Sequence, residues 1–270
     1  MKNATRLILS MLSLTTILAG TPLWAAEEGT EELAKKAQNP VANMISIPFQ
    51  NNFNFGVGPG NDMQYVLNIQ PVIPIHLSAD WNLITRTIAP VIYQPEMTVG
   101  AGSTFGLGDI NTTLFLSPAK PSKFIWGVGP ILQFPTATDS VLGTGKWSAG
   151  PAAVGLVMEG HWVVGALANN IWSYTGQSDR PSVSQFLFQY FINYNLPEGW
   201  YLTSAPIITA NWEAESGNKW TVPLGGGVGK IWRIGKLPVN TQLQAFYNVE
   251  KPDLAADWSL RFQVQLLFPK

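Results

Sequence analysis

Beyond residue 43 the chain is a succession of short stretches in which apolar and polar residues alternate. This period of two constrains the fold more than any other feature. The closing segment "WSLRFQVQLLFPK" carries it clearly. Leu260, Phe262, Val264, Leu266 and Phe268 form one row, and Ser259, Arg261, Gln263 and Gln265 form the other. Successive side chains of a strand point to opposite faces, so each such stretch makes a ribbon with one apolar and one polar side. Strands are predicted at 44–55, 64–77, 81–93, 105–117, 123–134, 146–158, 162–174, 184–195, 200–212, 219–234, 238–250 and 257–268. Each is long enough to cross a bilayer when tilted.

The question is whether the apolar rows face a core or face lipid. Connection lengths bear on it first. The tight ones, "SAD", "PAKPS", "EGH", "PEG" and "GKL", alternate with the longer "GVGPGND", "QPEMTVGAGS", "PTATDSVLGTG", "TGQSDRPSV", "EAESGN" and "KPDLAA". Outer-membrane barrels have short turns at the periplasmic rim and long loops at the other, and an even strand count leaves both termini on the short-turn side. A Greek-key sandwich has no reason to sort its loops this way.

The polar rows bear on it next. In the second strand Tyr65, Leu67, Ile69, Ile73 and Ile75 alternate with Asn68, Gln70 and His76. In the eighth, Phe186, Phe188, Tyr190, Ile192 and Tyr194 oppose Gln185, Gln189, Asn193 and Asn195. In the eleventh, Val239, Leu243, Tyr247 and Val249 oppose Asn240, Gln242, Gln244 and Glu250. Soluble sheets keep their exposed faces soluble with Lys and Glu; here the chain is only 12% charged and the polar rows are amides.

Tryptophan decides the matter. Trp81, Trp126, Trp162, Trp200 and Trp232 sit near tight turns, and Trp147, Trp172, Trp212, Trp220 and Trp258 sit at the opposite strand ends. None is mid-strand. Indole prefers the headgroup level, so two rings of Trp read as the girdles of a membrane barrel. The sequence therefore predicts an all-β fold, a transmembrane antiparallel up-and-down β-barrel of about 12 strands. Pro71, Pro74, Pro90, Pro130, Pro151, Pro206 and Pro223 fall inside these strands, and "APVI", "GPIL", "GPAA" and "APII" recur at corresponding depths. Since Pro cannot donate to a ladder, bulges or local breaks are expected there.

Residues 1–25 read as a secretory signal peptide. Lys2 and Arg6 precede the apolar "LILSMLSLTTILAG" and the small-residue region "TPLWAA", with cleavage near Ala25. Residues 26–43 are expected to form a short periplasmic N-terminal segment with one or two helical turns, and 44–270 the outer-membrane barrel. Roughly 245 residues remain after cleavage, enough for one large domain. No later run is long and apolar enough for a spanning helix. Removing Lys2 and Arg6 leaves 14 basic against 17 acidic side chains, which is no footprint for nucleic acid. With no cysteine there is neither a disulfide framework nor thiolate chemistry.

Enzyme readings find little support. "SVLGTGKW" has Ser140 where a phosphate loop needs Gly, "GGGVGKI" lacks Ser or Thr after Lys230, and "GVGPGN" puts Asn61 in place of the third dinucleotide-binding Gly. Two histidines and no cysteine offer no common zinc arrangement. A barrel lipid hydrolase needs Ser and His side by side near the outer rim, whereas His76 and His161 fall at the short-turn rim. No catalytic residue, cofactor or metal is therefore expected. The remaining candidates line the lumen: Asn68, Gln70, Arg86, Asp109, Asn111, Gln185, Gln189, Asn193, Gln242, Gln244, Glu250, Arg261, Gln263 and Gln265. Gly225, Gly227 and Gly229 would leave room beside them. With so few charges, strong ion selectivity is not expected.

The stretch "VLNIQPVIPIHLSADWNLITRTIAPVIYQP", with "STFGLGDINTTLFLSPAK", "GTGKWSAGP" and the closing strand, resembles a family of outer-membrane transporters named for the meta pathway of phenol degradation. The resemblance covers nearly all of the mature chain. It implies a β-barrel and passage of small, including aromatic, molecules; no functional residues carry over. The reading is a channel for small neutral or weakly polar solutes. Outer-membrane lipid surrounds it and the barrel-assembly machinery folds it. A barrel lipid hydrolase and a closed structural barrel are the alternatives.

Overall fold

The computed structural model describes residues 29–120 and 122–269; the expected signal peptide lies outside the described residues. An eight-residue helix, α1 (Thr30–Ala37), precedes a single antiparallel sheet. Its strands are β1 (Ile45–Val57), β2 (Asp62–Ile69), β3 (Val72–His76), β4 (Trp81–Gln94), β5 (Thr104–Leu107), β6 (Ile110–Pro118), β7 (Phe124–Phe134) and β8 (Lys146–Glu159). They continue as β9 (Trp162–Gly176), β10 (Ser184–Asn195), β11 (Trp200–Ser204), β12 (Ile207–Asn211), β13 (Trp220–Ile234), β14 (Leu237–Glu250) and β15 (Trp258–Phe268). The pairs β2/β3, β5/β6 and β11/β12 are broken single strands, so the sheet is a closed barrel of 12. Closure is made by β15 on β1, in unbroken register from Ile45↔Phe268 to Phe55↔Trp258. Each ladder hydrogen bond is thereby internal, as a membrane requires.

Proline accounts for much of the irregularity. Pro71 separates β2 from β3, and Pro206 separates β11 from β12. Pro130 and Pro151 face each other across β7 and β8, and the ladder on each side of that pair is interrupted. Toward β6 the pairing skips from Thr113↔Ile131 to Leu116↔Val128. Toward β9 it skips from Ala149↔Trp172 to Ala152↔Asn169. Pro223 marks a register shift between β13 and β14. Pro90, by contrast, stays within β4 and its carbonyl accepts from the Gly108 amide.

The apolar rows point outward. Phe262 is 41% exposed and Leu243 46%, whereas Gln244 is 2% exposed and Gln265 5%. Nine of the ten tryptophans among the described residues are exposed at strand ends, and Trp126 is half-buried against Trp81. At the long-loop end Trp212 meets Trp220 edge-on at 5.4 Å. Asn51 is a polar intruder on the outer face of β1. It is satisfied there by the Tyr65 hydroxyl at 2.7 Å and by donating to the Phe262 carbonyl at 3.1 Å.

The interior is not uniformly polar. Ile84, Phe115, Ile131, Val154, Leu156, Val163, Leu167, Ile171 and Phe191 form one apolar cluster on the inner wall from β4 to β10. Amides dominate the wall from β14 through β15 and β1 to β2. In β8 and β9 both rows are apolar or small, so alternation there is faint. Phe188 points outward in mid-β10, paired with Ala168 and Ile208. Phe188→Arg should cost about 2–4 kcal/mol of barrel stability, measured by urea unfolding in vesicles; an unchanged midpoint would place that row away from lipid.

Candidate functional site

The candidate site is the lumen, and its first component is the segment before β1. Helix α1 has Glu31 and Glu32 in its first turn and Lys35 and Lys36 in its last, which suits the helix dipole. Two i,i+4 pairs follow, Glu31–Lys35 at 3.0 Å and Glu32–Lys36 at 3.6 Å. The hydrogen bond and charge of Lys35, with a smaller pull from His161, hold the Glu31 carboxyl below the usual carboxylate range. The other face is apolar: Leu33 and Ala34 are buried with Met44, Tyr201, Ile231 and Leu267, at the short-turn ends of β11, β13 and β15. The helix therefore lies inside the barrel end.

The chain then crosses the lumen. The Gln38 and Asn195 side-chain amides bond reciprocally, at 2.9 and 3.3 Å. Val41 joins the apolar cluster on the far wall, against Phe115 and Val154. The segment before β1 thus spans the short-turn end of the barrel.

Four cavities follow one another past this crossing. At the long-loop end one vestibule of about 400 Å³ lies beside Asn54, Gln64, Gln94, Phe246 and Arg261. A second, of about 300 Å³, lies beside Arg86, Asn111, Ile131, Gln185 and Leu187. An inner cavity of about 140 Å³ touches both, sharing Arg261 with the first and Arg86 with the second. Beside the crossing segment it meets an open cleft of about 870 Å³ at the short-turn end, with Lys36, Asn39, Ala42 and Met44 common to the two.

The inner cavity is two-sided. One side is a hydrogen-bonded amide network. Arg86 donates to Gln70 at 2.8 Å, and Gln70 donates to Gln50 at 3.0 Å. Asn240 donates to Gln265 at 3.0 Å and accepts from the Tyr201 hydroxyl. Arg261 donates to Asn52 at 3.0 Å and to the Ala205 carbonyl at 2.9 Å, and lies 4.8 Å from the centre of the Phe246 ring. That carbonyl is available because Pro206 interrupts the strand at this point. Gln189 reaches the same oxygen at 3.4 Å. The amide oxygen of Gln244 is buried with no protein partner. Across the cavity from this network, Leu167 of β9 and Phe191 of β10 present an apolar surface, and Val72, paired with Arg86, adds an apolar side chain beside the amides.

Of the residues singled out from sequence, Gln70, Arg86, Gln189, Asn193, Gln242, Gln244, Arg261, Gln263 and Gln265 line the inner cavity. Asn111 and Gln185 line a vestibule. Asn68 lies at the edge of the network, 3.4 Å from Gln50. Asp109 is engaged elsewhere: its carboxylate accepts from the Thr144 amide and hydroxyl and the Ala137 amide, tying down the loop between β7 and β8. Glu250 is exposed at the end of β14. The space beside Gly229 is filled by Tyr201, whose ring lies where a Cβ would go. Sequence reasoning passed over Gln50, Asn52 and Phe246; the alternation of Gln50, Asn52 and Asn54 in β1 is masked by Asn51 on the opposite face.

No protein-family model matches the chain, and no curated protein matches it. Among solved structures, an outer membrane channel from Pseudomonas putida F1 superposes with a TM-score of 0.63 at 18% identity, over 83% of this chain and 94% of that one. The NanC porin superposes with a TM-score of 0.54 at 7% identity, over 83% of this chain and all (100%) of the other. Outer membrane phospholipase A from Escherichia coli aligns less well, with a TM-score of 0.42 at 12% identity over 88% of this chain and 98% of that one. The chain thus has the closed twelve-stranded fold of outer-membrane channels and porins.

The crossing segment is anchored mainly by its apolar face. Leu33→Asp would bury a carboxylate among Tyr201, Ile231 and Leu267, which is costly without a partner. The segment should then leave the barrel and become cleavable ahead of residue 44 under limited proteolysis that spares the wild-type chain. Equal protection in the variant would mean that other contacts hold it.

Proposed function

We propose that this protein is an outer-membrane channel that passes small neutral or weakly polar solutes, aromatic ones among them, by diffusion through the barrel lumen. The observation that carries the proposal is the series of cavities sharing residues from one barrel end to the other, with an amide wall facing an apolar wall. A ring with one polar substituent matches both sides at once. Its edge replaces water at the Gln and Asn groups, and its face lies against Leu167 and Phe191. Discrimination by pore width and by the groups that line it needs no chemistry. The amides are themselves networked, so little reorganisation is needed when a solute enters. The sequence resemblance to outer-membrane transporters of the phenol pathway and the channel fold point the same way.

In this reading the signal peptide exports the chain, the assembly machinery inserts the barrel, and the short-turn end with its crossing segment faces the periplasm. The crossing segment narrows the path and so sets an upper size for the solute. Liposome swelling tests this. Vesicles carrying the protein should admit benzyl alcohol and benzamide derivatives too polar to cross lipid unaided, while excluding disaccharides. Entry no faster than into protein-free vesicles would overturn the channel reading.

A further inference from the structure

Two guanidinium groups line the inner cavity, and among the described residues no carboxylate lines it with them. Arg261 is 7% exposed and Arg86 is half-buried. Both line the inner cavity, each at the boundary with a different vestibule. A solute coming from either vestibule therefore meets one of them on the way in.

Their partners are all neutral: the Gln70 amide for Arg86, and the Asn52 amide, the Ala205 carbonyl and the Phe246 ring for Arg261. Such acceptors orient a guanidinium but leave its charge uncancelled. Among the described residues no Asp or Glu lines the inner cavity or the vestibule beside Arg86. The vestibule beside Arg261 includes Asp253, whose carboxylate accepts from Asn218 at 3.1 Å. A charge taken out of water without a counter-charge is costly. The natural relief is an anion, and the planar guanidinium with its five donors matches a carboxylate in two-point contact. Inorganic anions would satisfy the charge alone; they would gain nothing from Leu167 and Phe191 across the cavity.

We infer that the inner cavity is a binding site for small organic monocarboxylates, with Arg86 and Arg261 taking the carboxylate and the apolar wall taking the ring or chain. This rests on the lumen being the solute path and extends the solute class from neutral and weakly polar compounds to those bearing one acid group. The few charges in the composition predict weak selectivity; two of them, Arg86 and Arg261, line the same inner cavity.

The test is a calorimetric titration of the full mature protein in detergent micelles with benzoate, benzyl alcohol and sulfate. Benzoate should bind about tenfold or more tightly than either of the others, the difference expected for charge-assisted hydrogen bonds combined with apolar contact. Arg86→Gln and Arg261→Gln should each weaken benzoate by a similar factor and leave benzyl alcohol unchanged. Arg261→Lys, which keeps the charge, should retain part of the preference, and heat-modifiable migration verifies that each variant is folded. Equal binding of benzoate and benzyl alcohol, no binding of benzoate, or full binding by the folded glutamine variants would overturn the inference. Sulfate binding as well as benzoate would reduce it to a general anion site and overturn the role of the apolar wall. The titration reads the site whether or not solute passes through, so its failure is separate from a failure of solute entry in the swelling assay.

Discussion

The hydrogen-bonding demand of the backbone is the constraint from which the rest follows. A chain that crosses a bilayer with strands has no water to satisfy its amides, so the sheet must close on itself. Here the closure is the long register of β15 against β1. Once closed, the barrel assigns its two faces opposite solvents. Alternation then sends Phe262 and Leu243 outward and Gln263, Gln265 and Gln244 inward from the same strands. Where proline removes a donor, the freed groups are not wasted: the Ala205 carbonyl, released next to Pro206, is the oxygen that Arg261 and Gln189 reach. A defect in the ladder thus becomes a fixed acceptor inside the lumen.

The interior then divides by composition rather than by pattern. Strands β1, β2, β14 and β15 carry amides on their inner rows, and β6 to β9 carry mostly apolar and small residues. The segment before β1 fits this division. Its helix rests on Tyr201, Ile231 and Leu267, its middle bonds to Asn195 through Gln38, and Val41 ends on the apolar wall. Each part of the segment meets a wall of its own character, which is why so short a piece can stay in place without covalent help.

Much of the fold was legible in the sequence because strand period, turn residues and tryptophan placement all speak locally. The twelve segments read from alternation correspond to the barrel strands within a few residues at each end, and the prolines mark several of the interruptions. The lumen was legible only where one row was clearly polar. Gln70 and Gln265 stood out against isoleucine and leucine neighbours, but in β8 Ala152, Val154 and Leu156 point inward while Ala153 and Val157 lie on the other row, so no alternation distinguishes them. Asp109 has the right residue type, yet the loop hydrogen bonds that engage it come from residues some 30 positions away, which no local reading supplies. The position of α1 was hidden for the same reason: Leu33 and Ala34 make a short apolar face whose partners come from the far end of the chain.

The claim at the centre is that solutes cross through this lumen, and single-channel recording of the refolded mature protein in a planar bilayer addresses it most directly. The expected result is small, stable, ohmic steps, the behaviour of a narrow path past the crossing segment. Insertion verified independently, with no conductance at any voltage, would contradict it and leave a filled barrel.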